Sequence, residues 1–233
     1  QPEMRARILS EAVDPDPTIV LGRLVREFDH MFLLGDPPDY EQPFDQSIRA
    51  LAQRASVTPE ELVYDLMLER DGHNMLYVTL CNYEYGSLES SLAMMRHPAA
   101  VLGLGDGGAH CGTICDGSFP TFMLSYWVRD RTRGERLSLP EAVRMLSRDA
   151  ARAVGLEDRG VIAPGFKADL NVIDLDQLRL YAPEVAHDLP TGGRRLVQRA
   201  DGYCATIVSG RIVHRDGSDT GELPGRLVRG PQA

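Results

Sequence analysis

The stretch that most constrains this chain is Val101-Leu-Gly-Leu-Gly-Asp-Gly-Gly-Ala-His110-Cys-Gly-Thr-Ile-Cys-Asp-Gly-Ser-Phe-Pro120. An apolar run from Ala99 to Leu104 ends abruptly in an acid, two glycines and a histidine. Such a run predicts a buried strand, with Asp106 at its carboxyl end. Gly107 and Gly108 let the backbone turn sharply or approach a ligand closely. A stretch of about ten residues without helical period follows, and then an apolar-rich helical pattern from Phe119. Strand, acid, irregular loop and helix is the order in which a (β/α) barrel presents a catalytic group. It is equally the order of a plain strand-to-helix connection in which Asp-Gly only makes a turn. The pattern alone leaves both readings open.

At 233 residues the chain can form one large domain or two small ones. Hydrophobic residues at 43% and charged residues at 25% are ordinary for a globular protein in water. The net charge of -9 argues against nucleic acid as a partner. No apolar run approaches the ~18 residues of a membrane span, so no membrane partner is expected. Cys81, Cys111, Cys115 and Cys204 are too few and too scattered for a disulfide framework. Reduced thiols in a cytoplasmic protein are the expectation.

The chain begins at Gln1, directly in a helical pattern (Met4, Ile8, Ala12), and reads as the interior of something longer. Asp14-Pro-Asp-Pro17 breaks that helix. Thr18 to Met31 mixes β-branched and apolar residues, as a strand followed by a short helical piece does. Gly35-Asp-Pro-Pro-Asp39 is a surface loop, and a helix follows over about 45–55. Thr58-Pro-Glu-Glu61 is a helix start with a capping box. Met75 to Leu80 predicts a strand, Ser87 to Met95 a helix capped by Ser87, and Ala99 to Leu104 the strand before Asp106. That alternation predicts parallel βα units. Helices are expected over 119–131 and from Ser138, again with a capping box, to Gly155. From Gly160 the texture changes to short strands: Val161-Ile162, Asp169 to Asp174, and a hairpin of Ala205–Gly210 with Arg211–Arg215 turning at Ser209-Gly210.

Three motifs carry chemistry. Gly103-Leu-Gly105-Asp-Gly-Gly108 matches the G-x-G-x-x-G spacing of a dinucleotide fold, but Gly108 opens Ala-His-Cys-Gly-Thr, a poor helix start. The acid due about twenty residues later at a strand end is missing as well. A dinucleotide-binding oxidoreductase is thus the weakest of three functional classes. Asp106 with His110 suits a general base or a metal ligand beside a second polar group in one loop; His110 could equally be a loop histidine bonding a carbonyl. Cys111 and Cys115 are spaced C-x3-C with no second pair, which is a weak structural-zinc signal. No H-x-H or H-E-x-x-H occurs.

Gly103-Leu-Gly-Asp106-Gly-Gly-Ala-His110 resembles the last-strand motif of the amidohydrolase superfamily, in particular the branch holding D-aminoacylase and related N-acyl-D-amino-acid deacylases. The likeness continues through Phe119-Pro120, Trp127-Val-Arg-Asp130, Ser147-Arg-Asp-Ala-Ala151, Arg159-Gly160-Val-Ile-Ala-Pro-Gly165 and Lys167-Ala-Asp169. Val208-Ser-Gly210, Pro224-Gly-Arg-Leu-Val-Arg229 and the upstream Gly35-Asp-Pro-Pro-Asp-Tyr40 are similar to the same branch. The resemblance implies an α/β fold, with residues 1–156 the C-terminal part of a TIM-type (β/α) barrel and 157–233 part of a small β-sandwich. It implies zinc-dependent hydrolysis of an amide C–N bond. Asp106 falls on the aspartate that ligates metal and shuttles the proton from the attacking water to the leaving amine. Gly107, Gly108 and His110 fall where substrate binds. The expected partner is a small-molecule N-acyl amine or N-acyl amino acid, with a homo-oligomer left open.

The chain also departs from that branch. The H-x-H, the bridging ligand and the two middle-strand histidines cannot be placed in it, and the loop Cys111–Ser118 has no basic residue to hold a substrate carboxylate. A non-catalytic fragment with no complete metal site is therefore the second functional class. For the third class the expectation is negative: saturating nicotinamide cofactor should leave the melting temperature unchanged, because only a ligand that binds the folded state raises it. An upward shift in a thermal melt would restore the dinucleotide reading.

Overall fold

The computed structural model describes residues 2–11, 22, 24–79, 81–103 and 111–232. It is mixed α/β, and the chain divides into two compact units, Gln1–Leu92 and Ala93–Ala233.

In the first unit, helix α1 (Pro2–Ser10) is tied by Arg5, whose guanidinium grips the Asp65 carboxylate through two 2.8 Å bonds. Strand β1 (Met31–Leu34) pairs antiparallel with β2 (Met75–Val78), Met31 opposite Val78 and Leu34 opposite Met75. Between them lie α2 (Ile48–Ala55), capped by the Ser47 side chain, and α3 (Pro59–Leu68). The capping box on α3 forms as its sequence predicts: Thr58 accepts from the Glu61 N–H, and the Glu61 carboxylate accepts from the Thr58 N–H. The Thr58 N–H, and then the Thr58 hydroxyl, donate to the Glu61 carboxylate and hold it below its ordinary range. Phe28, Met31 and Ile48 form the core, with Leu62, Leu66 and Val78 packed on it. Glu41 is fully buried and accepts the Leu88 N–H at 2.6 Å. Helix α4 (Glu89–Met95) lies across the division between the units and starts two residues after the expected cap, Ser87.

In the second unit, α5 (Phe119–Phe122) runs on into a wider π-helical stretch, Met123–Asp130. Its inner face holds Met123, Leu124 and Trp127, and the buried Arg131 guanidinium lies 4.6 Å over the Trp127 ring. Helix α6 (Leu139–Arg144) begins at the predicted Ser138–Glu141 capping box, passes through a second π stretch, Met145–Asp149, and ends as α7 (Ala150–Ala153). The strands beyond are β3 (Leu170–Ile173), β4 (Arg179–Leu180), β5 (Glu184–Ala186), β6 (Arg195–Val197), β7 (Ala200–Asp201), β8 (Tyr203–Val208), β9 (Arg211–Arg215) and β10 (Ser218–Asp219). They form one antiparallel sheet in the order β10-β9-β8-β3 and two ribbons, β4-β7 and β5-β6. The β8–β9 hairpin turns at Ser209-Gly210 as read from the sequence, with φ of 50° and 78°. Positive φ at both central residues matches the right-handed twist of the flanking strands.

Motif residues of this unit have structural work. Arg159 bonds both Asp158 and Asp169, Asp169 accepts the Ser209 N–H at 2.7 Å, and Ala168 accepts the Gly210 N–H at 2.9 Å. The charged pair thereby fixes β3 to the β8–β9 turn. Gly160 has φ 81°, and a Cβ on it would fall 2.7 Å from the Arg148 Cα, so only glycine fits.

The structure corrects three expectations. Residues 99–103 form no strand, and Val101 is 53% exposed; an apolar run becomes a central strand only with a hydrogen-bonding neighbour on each edge, and none pairs with it among the described residues. The strands β1 and β2 are antiparallel, not parallel: two helices lie between them, and the second reverses the chain once more. Val161-Ile162 is not a strand, with Ile162 87% exposed between Gly160 and Pro164. The strand expected at the start of Thr18–Met31 falls largely on residues 12–21 and 23, which lie outside the described residues; β1 at Met31–Leu34 is a further strand. No helix among the described residues is long and apolar enough to cross a membrane.

Removing an N-cap side chain typically costs ~1 kcal/mol. Ser138→Ala should therefore lower the unfolding free energy by about that amount in a urea titration with unchanged slope. No loss would mean that the cap is redundant with the packing of α6.

Candidate functional site

Asp106, Gly107, Gly108 and His110 lie outside the described residues. Both flanks of their segment lie within them.

On the amino-terminal flank, His97 accepts the Ala99 N–H on Nδ1 at 3.2 Å and accepts the Ala100 N–H on its carbonyl at 2.9 Å, which ends α4 in a tight turn. A cavity of about 320 Å³ opens beside it, lined by Arg96, His97, Val101, Leu102, Met145 and Asp149 among others. Its cations are internally matched: Arg96 bonds Glu141 at 3.2 Å and also Glu135, and Arg144 pairs with Asp149 at 3.2 Å.

On the carboxyl-terminal flank, the loop 111–118 is held by the β-rich part of the same unit. In the β5–β6 ribbon Val185 lies opposite Leu196. The Leu196 N–H is not used there and instead donates to the Cys111 carbonyl at 2.7 Å. The Ser118 hydroxyl lies 3.2 Å from the Cys115 carbonyl and 2.5 Å from Gln198 Oε1, while Gln198 Nε2 donates to the Tyr181 carbonyl at 2.7 Å. Thr121 Oγ1 and the Tyr203 hydroxyl are 2.7 Å apart. The ribbon's turn is closed by Arg195, which grips Asp188 through two 2.7 Å bonds. That grip holds the Asp188 carboxyl below its ordinary range. These partners escaped sequence reasoning because about eighty residues separate them from the loop and no local pattern links positions so far apart. The one readable trace was Thr191-Gly-Gly-Arg-Arg195, which marks a turn.

Among the described residues the cysteines make no metal centre. All four are free thiols, and no group of three or more His, Cys, Asp or Glu side chains able to hold a metal ion occurs among the described residues. Burial, and then the charge of Asp116, push the Cys115 thiol above its ordinary range, which Arg195 only partly opposes. A thiol held protonated is a poor ligand and a poor nucleophile. In the first unit His30 is likewise satisfied, with Nδ1 3.1 Å from the Thr79 hydroxyl and the Phe44 ring edge-on at 5.1 Å.

The sequence model of the amidohydrolase family matches residues 43–214. The chain therefore belongs to the amidohydrolase family. It is 33% identical over 102 residues to a 5-methylthioadenosine/S-adenosylhomocysteine deaminase of Desulfitobacterium hafniense, a match covering 43% of this chain and 23% of that protein. It is 42% identical over 86 residues to a dihydroorotase of Methanothermobacter thermautotrophicus, covering 35% of this chain and 19% of that protein. It is 52% identical over 42 residues to an imidazolonepropionase of a Ruegeria species, covering 18% and 10%. The matches thus span less than a quarter of the length of these relatives. No solved structure matches.

The burial of Cys115 has a direct chemical readout. Under native conditions, iodoacetamide should alkylate Cys115 more slowly than the exposed Cys81, as followed by peptide mass spectrometry. Equal rates would contradict a protonated, half-buried thiol.

Proposed function

We propose that this chain is the C-terminal part of a hydrolase acting on carbon–nitrogen bonds other than peptide bonds, of the D-aminoacylase and N-acyl-D-amino-acid deacylase type. The observation that carries the reading is the family match over residues 43–214, which spans the Asp106 segment. The motifs at Asp106–His110, Arg159–Gly165 and Lys167–Asp169 support the branch. Residues 1–156 then contribute to a (β/α) barrel and 157–233 to a β-sandwich. The substrate is a small N-acyl amine or N-acyl amino acid met in the cytoplasm, where four free thiols are stable.

In this reaction Asp106 is the proton carrier. Its carboxylate takes a proton from the attacking water as the water oxygen bonds to the acyl carbon. It returns that proton to the nitrogen as the C–N bond breaks, leaving a carboxylate and an amine. Gly107 and Gly108 allow the backbone to approach the substrate, and His110 donates a hydrogen bond to the scissile carbonyl. Zinc is the expected ion, with Asp106 among its ligands. The described residues do not complete a ligand set for it, and the steps above rest on protein groups alone.

The names of the matched relatives support a second reading, in which the bond broken belongs to a nucleoside, dihydroorotate or imidazolone-type ring. One assay separates the two. The complete gene product is given N-acetyl-D- and L-amino acids, dihydroorotate and 5-methylthioadenosine. Turnover of the acyl amino acids alone supports the deacylase reading, and turnover of a ring compound alone overturns it. Inactivity on every compound, without stoichiometric metal, supports the non-catalytic reading. In the active protein Asp106→Asn should lower kcat by ~10²–10⁴-fold with little change in KM, the usual contribution of a positioned acid or base. Wild-type kcat in that variant would show Asp106 to be a turn residue.

A further inference from the structure

We propose that Cys111 and Cys115 form a redox-sensitive modification site, a dithiol that a hydroperoxide closes into a disulfide and a small-molecule thiol reopens. The proposal does not depend on the hydrolase reading, and its readout is the state of the two sulfurs.

Cysteines four positions apart stand up to about 14 Å apart in an extended chain. A disulfide needs Cα atoms only about 4.4–6.8 Å apart. The fold supplies the approach. Residues 111–113 form a turn. The Cys111 carbonyl accepts the Leu196 N–H at 2.7 Å. The Cys115 carbonyl lies 3.2 Å from the Ser118 hydroxyl, which is itself 2.5 Å from Gln198 Oε1. Leu196 and Gln198 are two residues apart at the end of β6, about 7 Å along an extended strand. Both cysteines are therefore held against one end of the β5–β6 ribbon. The Arg195 guanidinium, on the same strand, lies within electrostatic reach of both thiols. Gly112 puts no side chain in the way of closure, and a Cβ there would meet only Arg194 Nε, at 4.0 Å.

The two thiols differ in access. Cys111 is exposed and Cys115 half-buried. Burial, and then the charge of Asp116, keep Cys115 protonated. A hydroperoxide thus reacts first at Cys111. The Cys111 sulfur attacks a peroxide oxygen, the O–O bond breaks, and the thiol proton leaves with the displaced oxygen as water. Cys111 is then a sulfenic acid. The Cys115 sulfur attacks the Cys111 sulfur, the S–O bond breaks, and the departing hydroxyl takes the Cys115 proton as a second water. Two thiols have given up two electrons, and one molecule of hydrogen peroxide has been reduced to two waters. The second step is intramolecular, and its high effective concentration offsets the protonation of Cys115.

The test treats the reduced, complete gene product with hydrogen peroxide in the presence of dimedone, which labels sulfenic acids, and then blocks remaining thiols with iodoacetamide. Residues 97–129 form a tryptic peptide that holds Cys111 and Cys115 and no other cysteine. In wild type this peptide should lose the mass of two hydrogens, and dithiothreitol should restore it. In Cys115→Ser the Cys111 sulfenic acid has no partner, so dimedone labelling of Cys111 should rise at least about tenfold over wild type. Cys111→Ser should leave Cys115 reduced. Wild type in which the peptide stays reduced while the exposed Cys81 and Cys204 oxidise overturns the proposal. So does a wild-type Cys111 that stops at the sulfenic acid, or a bond from either residue to a different cysteine.

Discussion

The Leu196 N–H bonded to the Cys111 carbonyl is the contact on which the order of the Asp106 flank depends. A loop with two glycines in eight residues has little intrinsic preference for one conformation. Here it is held from outside, by the free edge of a short ribbon and by the Ser118–Gln198–Tyr181 chain of hydrogen bonds. The ribbon is only three residues a side, too short to be stable by itself. Loop and ribbon are therefore stable together: each supplies backbone partners that the other leaves unpaired. The same logic appears at Asp169, whose carboxylate serves Arg159 and the Ser209 N–H at once and so joins β3 to a hairpin turn.

The helices are organised more locally. The two capping boxes, Thr58–Glu61 and Ser138–Glu141, satisfy orphan N–H groups with residues three positions away. Each is followed by proline in the first turn, where a missing N–H costs nothing. These helices are defined by neighbours in sequence before any tertiary contact forms. The Arg96 pairs with Glu135 and Glu141 then add cross-links at the surface, where screening keeps such pairs weak.

Membership of the amidohydrolase family gives these observations their functional frame. The residues proposed to carry the family chemistry in this chain are few: one carboxylate, one histidine and the glycines beside them. The loop at 111–118 that follows them is held by the β-rich part of the second unit.

Much of the local structure was legible in the sequence. Both capping boxes, the helices over 48–55, 59–68 and 139–153, and the Ser209-Gly210 hairpin follow from residues within a few positions of one another, where propensity and turn geometry decide. Asp216-Gly217, the turn into β10, carried the same signal and could have been read. Strand direction and pairing were not legible. Met31–Leu34 and Met75–Val78 state that they are strands, but not that they face each other antiparallel. The run at 99–103 looks like a strand by composition and does not form one, because a strand is defined by its neighbours. For the site, the sequence determined the candidate chemistry, an acid followed by glycines and a histidine in a family motif. Only the tertiary structure brought Gln198, Arg195 and Arg194 to the loop at 111–118, because a hydrogen bond across eighty residues leaves no periodic trace in the chain that makes it.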